Sequence, residues 1–197
     1  MKRLFIFYLF YIILFSNFNI AYSISPDVFI QSTVNRASQA LSENISKEEK
    51  INKLKIIAKE TVDIRGVGFY SLGSARKNLN DEQKDTYSNL FEYYFLKSFS
   101  SRLAEYTNPE IEVKSKQILN NNYTIVNSIL IATTDRPEVR IDWRVYTKNP
   151  NNPLIRDLII EGLSLARTQK EEFSSILNSN DGNINSLFKI LEEFANN

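Results

Sequence analysis

Asp157 and Glu161, four residues apart, are the pair in this sequence best spaced for acid–base chemistry. Along a strand, with its period of two, they share a face, and two carboxylates in a protected cleft can serve as general acid and base. The same two residues also fit a structural role, capping the helix that follows or pairing with Arg140 or Arg144 across a sheet. The structural role is the preferred reading. Asp142, between Arg140 and Arg144, reads likewise as part of an outward polar ladder. The chain has no histidine and no cysteine. That removes the Ser-His-Asp triad, cysteine nucleophiles, redox pairs and ordinary zinc or iron–sulfur centres. Gly66, Gly68 and Gly73 match neither the dinucleotide fingerprint nor a P-loop. No metal, no cofactor and no catalytic residue is therefore expected.

The elements that would position these residues follow a segment of a different kind. Lys2 and Arg3 precede an unbroken apolar run, Leu4 to Phe15, and a polar stretch, Ser16 to Ser23, with Ala21 and Ser23 at −3 and −1 before Ile24. This is the layout of a cleaved secretory signal peptide over residues 1–23, with an apolar core short for a bilayer. An uncleaved anchor is the alternative. Cleavage removes two basic residues and no acidic one, turning the net charge from +1 to −1. It leaves residues 24–197 as a single domain, long enough to bury its own core. A near-neutral exported domain without a cluster of four or more Lys/Arg suits neither nucleic acid nor an anionic lipid surface. Two Asn-X-Ser/Thr sequons, at Asn44 and Asn122, read as chance in so Asn-rich a chain.

Within the mature chain, Ser25-Pro26-Asp27 starts a helix carrying Ile30, Val34, Ala37 and Leu41 at helical spacing. Ser46 to Glu49 form a capping box before Ile51, Leu54, Ala58 and Val62. The stretch Gly66 to Arg76 reads as a short, broken helix, whose glycines either allow hinge motion or merely kink and end it. Asn80 to Gln83 cap the longest helix, which runs to about Tyr106. Its stripe of Tyr87, Leu90, Phe91, Tyr94, Phe95, Ser98, Phe99, Arg102, Leu103 and Tyr106 is unusually aromatic. Alternation then replaces helical spacing. Four strands follow, around Ile111–Ser115, Tyr123–Ile131, Val139–Tyr146 and Leu154–Ile160, and two helices close the chain. Helices, then strands, then helices give an α+β fold: a twisted antiparallel sheet of about four strands wrapped by N- and C-terminal helices.

Three motifs, in this order, resemble a known family. The stretch Phe69-Tyr70-Ser71-Leu72-Gly73 through Asn80-Asp81-Glu82-Gln83 resembles the "LG…(aromatic)-basic…T-x-x-Q" approach to the long helix of MlaC-type periplasmic phospholipid-binding proteins, the toluene-tolerance auxiliary family. Val139-Arg140-Ile141-Asp142-Trp143 is similar to that family's "V-x-(hydrophobic)-D-(aromatic)" strand. Asp157-Leu158-Ile159-Ile160-Glu161-Gly162-Leu163-Ser164 is similar to its "D-(V/M)-x-x-E-G-(V/L)-S" segment, and the likeness is collinear from about Pro26 to Phe194. Pro153 and Arg156 depart from it, standing where the family usually carries a Trp and a Tyr, and Ser74, Ala75 and Arg76 occupy the stretch after Leu72-Gly73 where it often carries an aromatic.

The resemblance implies a periplasmic carrier moving glycerophospholipid between an outer-membrane lipoprotein–porin complex and an inner-membrane ABC transporter with an MCE-domain ring. It also implies an apolar cavity between helices and sheet, in a system that maintains outer-membrane lipid asymmetry. The alternatives are an enzyme acting on an apolar substrate through Asp157 and Glu161, or an assembly module whose aromatic stripe is only core. For the carrier, the acyl chains are expected between the long helix and the sheet. Phe91, Phe95, Phe99 and Leu103 would form the ridge of the helix, with Val67, Phe69 and Leu72 beside it. Ile129, Ile131, Ile141, Trp143, Leu158 and Ile160 would form the sheet face, with Leu163 at its end.

Overall fold

Ser46 and Asn80 start two helices by the same device. Each side chain accepts from the backbone N–H three residues on, at Glu49 and Gln83, whose side chains bond back to the cap backbone. In the computed structural model, which describes residues 23–196, the helices are α1 (Pro26–Ser42), α2 (Lys47–Thr61), α3 (Ile64–Ser71), α4 (Asp81–Leu103), α5 (Leu165–Asn178) and α6 (Ile184–Asn196). A 3-10 turn, Ala75–Lys77, links α3 to α4. The expected signal peptide lies outside the described residues but for Ser23. Among the described residues no helix is long and apolar enough to cross a membrane.

Between the helical blocks runs an antiparallel meander of β1 (Ile111–Asn120), β2 (Tyr123–Leu130), β3 (Val139–Tyr146), β4 (Leu154–Ile160) and β5 (Leu163–Ser164), paired in chain order. The fold is α+β, as its order of elements predicts. The two-residue β5 follows a tight reversal at Glu161 (φ 48°) and Gly162 (φ 85°). A β-bulge between Arg144 and Val145 shifts the β3–β4 register.

One expectation about the sheet is corrected. The buried face of β2 carries Thr124, Val126, Ser128 and Leu130, while Ile125 and Ile129 lie on the half-buried opposite face. Residues directly opposite share a face: Val126 stands opposite Trp143 and Ser128 opposite Ile141, whereas Ile129 stands opposite Arg140. Ser128 is tolerated in the core because its hydroxyl donates to Ile141 O at 2.9 Å and accepts from Trp143 Nε1 at 2.8 Å. Ile131 lies past the end of β2, its N–H bonded to Glu110 O.

Two apolar cores result. On the sheet, Ile30 and Val34 of α1 pack on Val126, Leu130, Ile141, Trp143, Val145 and Ile155. Among the helices, Tyr87, Phe91 and Leu96 of α4 pack with Phe173, Leu187, Phe188 and Leu191 from α5 and α6. Val62 touches both cores. There the chain runs briefly beside β4, and Asp63 N–H donates to Ile155 O at 2.9 Å. Gly68 lets α3 and α4 approach closely: a Cβ there would stand 2.7 Å from Phe91 Cδ1, and Tyr87 Oη donates to Gly68 O at 2.9 Å. Gly68 thus allows a close helix crossing rather than ending or kinking a helix.

Candidate functional site

Helix α1 covers the inner face over β1 and β2, and α4 packs on α2, α3 and α6. Space is left between the C-terminal half of α4 and strands β3 and β4. One recess, of about 130 Å³, lies among α1, α2, α4 and the sheet, lined by Val34, Leu41, Leu54, Ala58, Leu103, Ile141, Trp143 and Ile160 with others. A second, of about 210 Å³, lies among α3, α4, α5 and β4, where Val67, Phe91, Tyr94, Phe95 and Ala166 contribute. Val62, Phe99, Ile155 and Leu158 line both recesses, so the two are neighbours across these four side chains.

The first recess is almost wholly apolar in effect. Its two threonine hydroxyls turn away to backbone carbonyls of their own helices, Thr33 to Phe29 O at 2.9 Å and Thr61 to Ile57 O at 2.7 Å. The second has a polar rim that includes Arg102, Arg156, Gln169 and Glu172. On that rim Tyr94 Oη donates to Gln169 Oε1 at 3.0 Å, and burial together with Glu172 raises its pKa, so the hydroxyl stays neutral. Phe91, Phe95 and Phe99 form a stacked ridge, with ring centroids 6.2 and 5.3 Å apart.

Of the residues expected to meet a ligand, Val67, Phe91, Phe95, Phe99, Leu103, Ile141, Trp143, Leu158 and Ile160 line these recesses. Phe69, Leu72, Ile129, Ile131 and Leu163 do not. Phe69 packs against the helical core beside Tyr87, and Leu72 is buried within that core. Ile129 and Ile131 are out of position for the reasons given above. Leu163 follows the reversal at Gly162 and is 61% exposed. Sequence reasoning missed the contributions of α1 and α2, among them Val34, Leu41, Leu54 and Ala58. Their helical stripes marked these residues as buried but not the surface they meet.

The two carboxylates do not converge. Asp157, its side chain 1% exposed, accepts from Ser164 Oγ at 2.6 Å and from Ala166 N–H at 3.0 Å, with Arg144 Nη1 at 3.6 Å. It caps α5 and faces Arg144. Glu161 sits beyond the end of β4, exposed, and accepts from the backbone N–H of Arg140. Asp142 does belong to a ladder, with Asn127 Nδ2 at 2.8 Å and Arg140 Nη2 at 2.7 Å, but it is buried and not outward-facing. Burial pushes the Asp142 carboxyl up, but these bonds outweigh it and hold the group below the usual carboxylate range.

Arg156, where the sequence departs from the motif it resembles, is held from several sides. Its Nε and Nη2 lie 2.7 and 2.6 Å from Asp63 Oδ2, its Nη1 donates to Tyr123 Oη at 2.6 Å, and its guanidinium lies 3.7 Å over the Tyr146 ring. The Arg156–Asp63 pair ties β4 to the start of α3, where Asp63 Oδ1 also accepts from Gly66 N–H.

The chain shares its fold with the phospholipid-binding protein of Ralstonia solanacearum, whose structure was solved in complex with a phospholipid. The TM-score is 0.73 at 18% identity, over 87% of this chain and 97% of that one. A search of curated proteins gave no match. The family profile described as MlaC protein matches residues 31–193, a span that includes every residue lining both recesses. The chain belongs to the MlaC protein family.

Proposed function

We propose that this protein is a non-enzymatic phospholipid carrier, exported to the periplasm and cleaved after Ser23. It would receive and deliver glycerophospholipid between an outer-membrane lipoprotein–porin complex and an inner-membrane ABC transporter with an MCE-domain ring. The observation that carries this reading is the pair of largely apolar recesses that adjoin across Val62, Phe99, Ile155 and Leu158. Membership of the MlaC family and the phospholipid in the Ralstonia relative support it.

The energetics suit the task. At roughly 0.8 kcal/mol per buried CH₂, about 30 methylenes represent on the order of 20 kcal/mol of exposure to water that a carrier must offset. Apolar wall supplies that without polar contacts. The two recesses together fall near the lower end of ligand-pocket volumes, so a two-chain lipid requires α4 and the sheet to part. Because α4 is fastened chiefly to other helices, that opening need not break the strand ladder. A wall that yields in this way also keeps binding reversible, as transfer requires.

Native mass spectrometry of the mature protein, followed by organic extraction, tests the reading. The expected result is a chain starting at Ile24 with co-purifying diacyl phospholipid. A lipid-free protein that takes up none from vesicles contradicts it.

A further inference from the structure

A third recess, of about 440 Å³, adjoins the apolar cavity, with Val67, Arg156 and Ala166 lining both. Three arginines line it, Arg76, Arg144 and Arg156, and no acidic side chain does. Asp63 and Asp157, standing behind Arg156 and Arg144, balance two of these charges and leave one positive charge in excess.

The arginines differ in what they have left to offer. Arg156 spends its nitrogens on Asp63 and Tyr123. Arg144 is not satisfied in this way. Its Nε is buried without a hydrogen-bond partner, and its Nη1 is 3.6 Å from an Asp157 carboxylate already engaged by Ser164 and Ala166. A guanidinium carries five donors in a fixed plane, and a buried donor left unmade costs free energy that a matching acceptor recovers. Arg76, on the 3-10 turn, makes one long bond, 3.5 Å to Phe69 O. Forked donors with surplus positive charge suit a phosphate oxyanion, which arginine grips through two parallel bonds.

We infer that this recess is a phosphate-oxyanion subsite centred on Arg144, beside a cavity that holds acyl chains. The inference rests on the carrier reading for the lipid as the source of the phosphate. The other source of the same chemistry is free inorganic phosphate.

The test compares wild type, Arg144→Gln and Arg76→Gln for binding of phosphatidylglycerol and of diacylglycerol with identical chains. Arg76 is exposed on a turn, so its variant is expected to fold even if Arg144→Gln does not. The expected result is phospholipid affinity lower by about tenfold in Arg144→Gln, a smaller loss in Arg76→Gln, and unchanged diacylglycerol affinity in both. Equal loss for both lipids, or no loss for either, overturns the subsite and leaves the carrier reading standing. If wild type binds neither lipid, the carrier reading fails, and a ³¹P NMR titration with inorganic phosphate alone decides the subsite. Arg144-dependent phosphate binding supports it, and its absence overturns it. Where wild type does bind lipid, phosphate displaced by phosphatidylglycerol identifies the headgroup as the occupant, whereas phosphate still bound to lipid-loaded protein contradicts that assignment.

Discussion

Asp157 accepts the backbone N–H of Ala166 at 3.0 Å, so the strand walling one side of the cavity is fixed to the first turn of the helix walling another. Its second oxygen accepts from Ser164 Oγ, which in turn caps α5 through the Arg167 N–H. The residue that looked most like a catalytic base is therefore occupied as a cap. Asp157→Ala is expected to lower unfolding stability by about 1–3 kcal/mol, read from urea melts. Combining Asp157→Asn with Glu161→Gln should not lower bound lipid per protein, since losing the Asp157 charge behind Arg144 only adds to the positive excess there. A loss of lipid at full stability would speak for a direct role.

Leu158 lines both recesses, and Ile131 lies outside them. Leu158→Trp should abolish lipid co-purification while Ile131→Trp retains it, measured as lipid phosphorus per mole of protein. Enlarging a side chain in filled space costs about 1–3 kcal/mol. If Leu158→Trp carries that cost and still binds lipid, the recesses are ordinary packing defects.

Gly68 lies beneath the Phe91 ring, close enough that a methyl group would displace it. Phe91 lines the larger recess. Gly68→Ala should destabilise the protein by about 1–3 kcal/mol through overpacking and reduce lipid uptake, whereas Gly182→Ala, in open space at the α5–α6 turn, should leave uptake unchanged. Equal uptake in wild type and Gly68→Ala would show that the ring moves without narrowing the recess.

Asp27 fastens α1 to β1. Bonds from Lys116 and Ser25 lower its pKa from 3.8 to about 2. A depressed carboxylate pKa adds stability above the unfolded value of 3.8, and that stability is lost as pH falls through about 2. The side chain is 36% exposed, so solvent screening holds the contribution to about 1 kcal/mol or less. Urea unfolding of wild type and Asp27→Asn should differ at pH 5 and converge near pH 2. A gap that stays constant with pH would assign the difference to something other than this ion pair.

The helices were legible because their punctuation is local. The capping boxes at Ser46 and Asn80 and proline in the first turn of α1 each depend on residues within a turn. The face of β2 was not legible, because Ile125 and Ile129 make one face look apolar while the buried face includes Thr124 and Ser128. Only the register with β3 shows that Ser128 is satisfied by Ile141 O and Trp143 Nε1. The aromatic ridge of α4 reads directly from i+4 spacing, and it lies beside the cavity. That α1 and α2 supply half of the smaller recess could not be read, since an amphipathic stripe does not say which surface it meets. The pocket around Arg144 was hidden for a similar reason. Arg76, Arg144 and Arg156 are far apart in sequence, and it takes the folded chain to bring them to one recess.

Trp143 is the sole tryptophan of the chain, and its ring lies in the cavity wall, 7% exposed. Its fluorescence therefore reports directly on whether acyl chains occupy the space between α4 and the sheet. Loading the protein with a phospholipid brominated along its acyl chains should quench Trp143 strongly, while the unbrominated lipid should not. If the brominated lipid binds in equal amount and leaves the emission unchanged, the chains lie elsewhere and the cavity is not the carrier site.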